Sequence, residues 1–353
     1  MQVNGQHFRT IWPDKFGQFV EIIDQTKLPF AFEIARVNTV EQMVAAIKTM
    51  QVRGAPLIGA AAAYGMALAC NQNSSDVGLL NAFEMLKNAR PTAVNLVWAL
   101  NRMLKRLLPL SVEMRATHAW QEAAKICDED VAQNQDIGQH GLSLIKKAYQ
   151  NKPFNILTHC NAGWLATVDY GTALAPIYAA HDAGLQVHVW VDETRPRNQG
   201  AFLTAWELSA HGVPHTVISD NAGGHLMQQG LVDMVIVGAD RVTMNGDVCN
   251  KIGTYLKALA ALDNHIAFYA AAPSPSIDME METGKQITIE NRDSDEVAYI
   301  SGLDSDGNLK TVRVIPTQSC AANPAFDVTP ARLVMGIITE HGVFAPNALK
   351  SID

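Results

Sequence analysis

The chain has 353 residues, of which 48% are hydrophobic and 18% charged, a composition that excludes an intrinsically disordered chain. At about 100–200 residues per domain, that length predicts two or three domains with core enough to need no disulfide or metal staple. The formal charge of −8, from 27 Lys and Arg against 35 Asp and Glu, argues against a nucleic-acid surface, where clustered cations must neutralise phosphates.

Up to about Ala35 the sequence is mixed, and its Trp, Phe and Ile content predicts short strands. The first 25 residues contain no basic start followed by an apolar run, so no signal peptide is expected. From Val40 to Gln150 apolar residues recur at helical spacing, in Val40–Met50, Leu79–Leu86, Val94–Leu108 and Trp120–Tyr149. Pro56 and Pro91 stand where a first helical turn tolerates proline. Gly54–Ser75 is uncharged but rich in Ala and Gly. It is too weakly apolar for a membrane span and predicts a buried helix; no membrane partner is expected.

After residue 150 strands and helices alternate. The apolar runs Phe154–Thr158, Leu185–Val191, His215–Ser219, Met234–Gly238 and His265–Ala271 predict strands. Helical stretches are expected from after the Gly163 turn to about His181, over Leu203–His211, and after Asn221–Gly224. The pattern is that of an α/β protein: a mainly helical N-terminal domain over 1–150, then a parallel sheet covered by helices over 151–353. The first part carries 15 basic and 13 acidic residues and the second 12 and 22.

In open parallel sheets ligands bind beyond the carboxyl ends of the strands, so the polar residues after each run are the informative ones: His159 and Cys160, Asp192, Asp220, and Asp240 with Arg241. A cysteine between a strand and a helix can feel the helix dipole, which lowers a thiol pKa; the same position suits a buried, inert thiol. Asp240 suits an acid–base carboxyl, although an aspartate at a strand end is more often a structural ion pair or a helix N-cap. Arg53 is the only Lys or Arg between Lys48 and Lys87, and Arg53-Gly54-Ala55-Pro56 precedes the uncharged helix. Arg90-Pro91 repeats the arrangement ahead of another apolar helix. Two such sites in a chain without basic clusters point to an anionic ligand, a phosphate above all. Asn250-Lys251 and Gln199 add amide and ammonium groups suited to hydroxyls and phosphate.

There is no glycine-rich dinucleotide or nucleotide motif. The eleven histidines show no metal-ligand spacing, so neither cofactor nor metal is expected. Five cysteines, scattered and without a C-x-x-C pair, predict a reducing, cytoplasmic setting.

The segments VRGAPLIG (Val52–Gly59), RPTAVNL (Arg90–Leu96), THCNAG (Thr158–Gly163), Gln199–Leu208, VGADR (Val237–Arg241) and NGDVCNKIGT (Asn245–Thr254) occur in this order. As a set they resemble the methylthioribose-1-phosphate isomerase family of methionine salvage, over about Gln25 to Thr339. That family is related to the regulatory subunits of eukaryotic translation initiation factor 2B and to ribose-1,5-bisphosphate isomerases. The resemblance implies a helical N-terminal domain, a Rossmann-like C-terminal domain and a homodimer. It implies catalysis by Cys160 and Asp240, and contacts to a small sugar phosphate from Arg53, Gly54, Ala55, Arg90, Gln199, Asn250 and Lys251. Asn221-Ala222-Gly223-Gly224 and the loop Glu193–Asn198 depart from the family's usual residues without removing a catalytic group. A ribose-1,5-bisphosphate isomerase would need a second phosphate site, and the C-terminal half has no surplus of cations for one. Retention of both Cys160 and Asp240 argues against a non-catalytic regulatory subunit.

Overall fold

The structure is a computed structural model that describes residues 1–90 and 94–351. The predicted start of the helix after Arg90, with Pro91, lies outside the described residues. The N-terminal segment forms a short hairpin, β1 (Gln2–Val3) with β2 (Gln6–His7), and an antiparallel sheet of β3 (Ile11–Pro13), β4 (Val20–Ile23) and β5 (Ile34–Val37).

Five helices follow: α1 (Val40–Lys48), α2 (Ala55–Gln72), α3 (Asp76–Lys87), α4 (Val94–Leu107) and α5 (Val112–Ala148). Their starts are written locally. Thr39 and Ser75 cap α1 and α3 by accepting backbone N–H groups of Gln42 and Gly78. Pro56 occupies the first turn of α2. That helix carries no charged residue and is buried on nearly every face, because α1, α3, α4 and α5 surround it. Among the described residues no helix is long and apolar enough to cross a membrane.

The rest of the chain builds a seven-stranded central sheet. Its members in chain order are β6 (Phe154–Thr158), β7 (Val187–Asp192), β8 (His215–Ile218) and β9 (Met234–Gly238), all predicted. Between β9 and the next member lie β10 (Arg241–Thr243) and β11 (Val248–Lys251), which leave the sheet. The sheet resumes with β12 (Ala267–Ala271). Beyond it come β13 (Ile277–Asp278), the hairpin β14 (Tyr299–Leu303) with β15 (Leu309–Arg313), and β16 (Phe326–Thr329); β17 (Gly336–Thr339) and β18 (Gly342–Phe344) complete the central sheet. Its order is β18-β17-β12-β9-β6-β7-β8, parallel throughout except for the β17–β18 hairpin. All five residues of β9 are buried, as expected for a strand covered on both faces. The covering helices include α6 (Ala175–Asp182), α7 (Ala205–His211), α8 (Ala222–Gln228) and α9 (Thr254–Asp263). A separate antiparallel sheet, β13-β10-β11-β16, stands beside the central one.

One feature differs from expectation. No α-helix follows Gly163 directly: the chain makes a single 3₁₀ turn at Trp164–Ala166 and becomes α-helical only at Ala175. Apolar packing runs across residue 150. Ile137, Leu142 and Ile145 of α5, with Met1, Ile23 and Leu28, pack into the cluster formed by β6 and β7, while the first half of α5 packs into the cluster around α2. Helix α5 therefore ties the two regions together.

Candidate active site

The strand order reverses at β6. The chain runs from β6 outward to β7 and β8, then returns to β9 on the other side of β6. Crevices in open α/β sheets form at such a reversal. Cys160 follows β6 and Asp240 follows β9, so both stand at this point, on neighbouring strands.

One cavity is lined by all nine residues expected at the site: Arg53, Gly54, Ala55, Arg90, Cys160, Gln199, Asp240, Asn250 and Lys251. Its narrow centre, about 50 Å³, opens on both sides. A cavity of about 500 Å³ shares Met50, Arg53 and Gln199 with it. Another of about 210 Å³ shares Ala55, Arg90, Asp240 and Phe326.

The elements place these groups for local reasons. Gly54 has a φ of +95° and lies against Ala166, so that a Cβ would collide with the Ala166 carbonyl. This tight turn brings Arg53 inward ahead of α2. Arg53 is buried; its Nη1 donates to the Asn161 side-chain oxygen and its Nη2 to the Asn161 carbonyl at 2.7 Å. The Asn161 amide is fixed in turn, donating from Nδ2 to Glu207 Oε1 at 2.8 Å and to Thr204 Oγ1 at 3.2 Å. Glu207 also accepts from the backbone N–H groups of Trp164 and Leu165 and from the Tyr178 hydroxyl. Burial pushes its carboxyl up to about 7 against these donors.

Cys160 is buried and holds a left-handed backbone conformation, φ +65°, uncommon outside glycine. Two hydroxyls hold it there: its N–H donates to Thr194 Oγ1 at 2.8 Å, and its carbonyl accepts from Thr204 Oγ1 at 2.7 Å. Its thiol faces Gln199 Oε1 at 3.4 Å. Burial raises the thiol pKa, and Arg53 and Lys251 oppose that rise only in part. No helix N-terminus stands behind the thiol, so of the two readings of this position the buried thiol is the one its surroundings favour.

Cations dominate the cavity. Burial lowers the pKa of Arg53 and Lys251, while Cys160 and Asp240 act in the opposite sense. Among the described residues neither cation has an ion-pair partner; Lys251 lies over the Phe326 ring at 4.6 Å. Arg90 faces Glu290 at 3.7 Å, and its buried Nε has no hydrogen-bond partner among the described residues. Three converging cations with spare donors form a site for an anion. Asn250 donates from Nδ2 to Thr254 Oγ1 at 3.0 Å.

Residues the sequence reading did not single out complete the frame: Asn161, Thr194, Thr204 and Glu207. Asn161 lies beside Cys160 in THCNAG and Thr204 and Glu207 lie in the segment Gln199–Leu208, but nothing in their spacing marked their roles. His159, Asp192 and Asp220 place potential metal-ligand atoms within 4.8 Å of one another. The Lys257 ammonium sits 3.1 Å from Asp192 Oδ2 and donates to the Asp220 carbonyl. It thus supplies the positive charge there, and the donor set does not call for a metal.

Residues 51–346 match the sequence model of the initiation factor 2 subunit family. A methylthioribose-1-phosphate isomerase of Rhodospirillum rubrum is 60% identical, covering 99% of this chain and 92% of its own. One from Escherichia coli is 58% identical over 100% of this chain and 96% of its own. Among solved structures, a 5-methylthioribose 1-phosphate isomerase from Pyrococcus horikoshii superposes with a TM-score of 0.83 at 43% identity, covering 98% of this chain and 94% of that one. The delta subunit of translation initiation factor eIF-2B from A. fulgidus gives 0.80 at 40% identity, covering 96% of each chain.

Proposed function

The chain belongs to the initiation factor 2 subunit family, and within it we propose that it is an aldose–ketose isomerase converting 5-methylthioribose 1-phosphate to 5-methylthioribulose 1-phosphate in methionine salvage. The observation that carries this reading is the single cavity in which Cys160 and Asp240 meet three cations at the reversal of strand order. Full-length relatives at 58–60% identity bear the isomerase name.

The substrate carries phosphate on its anomeric oxygen, so its ring does not open freely. Isomerisation must break the bond from C1 to the ring oxygen, move hydrogen from C2 to C1, and turn the C2 hydroxyl into a carbonyl. We assign Asp240 as the acid–base group: it gives a proton to the departing ring oxygen and regains one as the C2 carbonyl forms, so the proton count closes. Cys160, a neutral thiol, stabilises the charge that develops at C1 and C2. Arg53 and Arg90 with the Gly54 and Ala55 backbone hold the phosphate, and Gln199, Asn250 and Lys251 hold the remaining oxygens. The apolar walls around the narrow centre exclude water and strengthen these charges.

The same reading makes residues 1–150 a helical domain and 151–353 a Rossmann-like one, and makes the protein a cytoplasmic homodimer. The test is an assay of the purified protein with 5-methylthioribose 1-phosphate and, separately, ribose 1,5-bisphosphate, with no added metal or cofactor. The expected result is a ketone formed from the first substrate only. Turnover of neither, with a sugar phosphate still bound, would favour the non-catalytic regulatory role that the eIF-2B name of the A. fulgidus neighbour brings to mind.

A further inference from the structure

His159 is wholly buried beside Cys160, and its ring bridges two segments far apart in the chain. Nδ1 lies 2.7 Å from Asp192 Oδ2, at the end of β7, and Nε2 lies 2.8 Å from the backbone carbonyl of Ile252. The carbonyl can only accept, so Nε2 carries a proton and donates it. Ile252 directly follows Asn250 and Lys251. The chain then turns at Gly253, φ +102°, where a Cβ would press on the imidazole at 3.0 Å. The backbone after Lys251 is therefore folded closely around the ring. β11, which carries Asn250 and Lys251, pairs with β10 and β16 of the smaller sheet. The Ile252 bond links the residue after β11 to the residue after β6 of the central sheet.

We infer that His159 is a positioning residue, which through its hydrogen bond to the Ile252 carbonyl holds Asn250 and Lys251 at their working distance from Cys160. The inference rests on the isomerase reading and on the substrate contacts assigned to those two residues.

Two substitutions separate the two ring contacts. In His159→Asn the amide nitrogen overlays Nδ1, which keeps the Asp192 contact and drops Ile252. In His159→Gln it overlays Nε2, which keeps Ile252 and leaves Asp192 short of a partner. A merely structural histidine would make loss of function follow loss of stability. A positioning histidine reverses the order. His159→Asn should melt close to wild type yet raise KM about tenfold or more, and weaken inorganic phosphate binding by a similar factor in calorimetry. His159→Gln should melt lower while its KM rises less than threefold. Gly253→Ala, which pushes the carbonyl off the ring, should resemble His159→Asn in KM. Equal KM values for the two His159 variants, or a larger rise in His159→Gln, would overturn the inference. So would a His159→Asn protein that fails to fold, since the Ile252 bond would then be structural. If the wild type does not turn over the sugar phosphate, it is the isomerase reading that falls; the order of phosphate affinities still decides the role of His159.

Discussion

Asn161 holds the guanidinium of Arg53 from two sides, by its amide oxygen and by its own carbonyl, the latter at 2.7 Å. Both acceptors are neutral, so the buried cation is oriented without being neutralised and its charge remains available to a ligand. Because Asn161 Nδ2 is committed to Glu207, the amide cannot reverse and present its NH₂ to the arginine.

Arg53→Ala should weaken binding of the sugar phosphate by about 2–5 kcal/mol, the range for losing one partner of a desolvated charge pair. KM should rise roughly thirtyfold or more. Arg53→Lys should recover only part of this, because an ammonium cannot span both Asn161 oxygens. Steady-state kinetics with calorimetry of inorganic phosphate measure both; unchanged affinity in folded Arg53→Ala would remove the residue from the site.

Cys160 and Asp240 should show their effect in turnover. Asp240→Asn and Cys160→Ala should each lower kcat by about a hundredfold or more with a much smaller change in KM. Since burial keeps the Cys160 thiol protonated, Cys160→Ser retains a donor and should fall between Cys160→Ala and wild type. Substitution of the exposed Cys320 serves as the control. A Cys160→Ala enzyme at full speed would exclude the thiol from the reaction.

Stability should fall as pH rises toward neutrality. Asp130 and Glu207 are buried, and burial pushes each carboxyl up to about 7 from unfolded values of 3.8 and 4.5. Between those limits the folded state binds more protons than the unfolded one. The contribution is fully present below the unfolded values and is lost as pH climbs through about 7, on the order of 2–4 kcal/mol for each group. Glu296 acts in the opposite sense: despite its partial burial, Arg292 and Arg197 hold its carboxyl down at about 2. Its contribution is present above 4.5 and lost as pH falls toward 2. Urea unfolding across this range should show greatest stability near pH 5, and Asp130→Asn should flatten the decline on the neutral side. A curve that rises from pH 5 to 7.5 would contradict this.

Gly54→Ala should be costly because both the positive φ and the Ala166 carbonyl oppose a side chain there. A loss of about 2–4 kcal/mol is expected, typical of strain combined with a backbone clash, together with a raised KM as Arg53 is displaced. Thermal melting and kinetics on the same sample test both effects.

The homodimer proposal predicts a particle of twice 38.4 kDa in light scattering at working concentration. Leu256, Leu262 and Met335 are exposed apolar side chains, and a second copy of the chain is one way to cover such groups. Leu262→Glu with Met335→Glu should leave monomers if these side chains lie in the interface.

Much of this architecture was legible in the sequence because long elements repeat a period. Met234–Gly238 reads as a buried strand from its apolar run, and α2 as a buried helix from its lack of charge. Arg53 was legible by its isolation, and Cys160 and Asp240 by standing just past strand ends. The smaller sheet was not, because strands of two to four residues are too short to show alternation. The role of His159 was hidden for a different reason: its partners lie 33 and 93 residues away, and no local spacing encodes them. The choice between the two readings of Cys160 was hidden because Gly163 opens a 3₁₀ turn and a loop where a helix would have decided it.

Adjacent parallel strands keep a nearly fixed spacing of about 4.8 Å. Cys160 and Asp240 stand two residues beyond the ends of two such neighbours, β6 and β9, so backbone hydrogen bonding brings both to one edge of the sheet, and the Thr194 and Thr204 hydroxyls fix Cys160 beyond the last rung. The groups around them come from loops, helix starts and a different sheet. A substitution among those outer groups can therefore change which ligand fits without moving the two strand ends that carry Cys160 and Asp240.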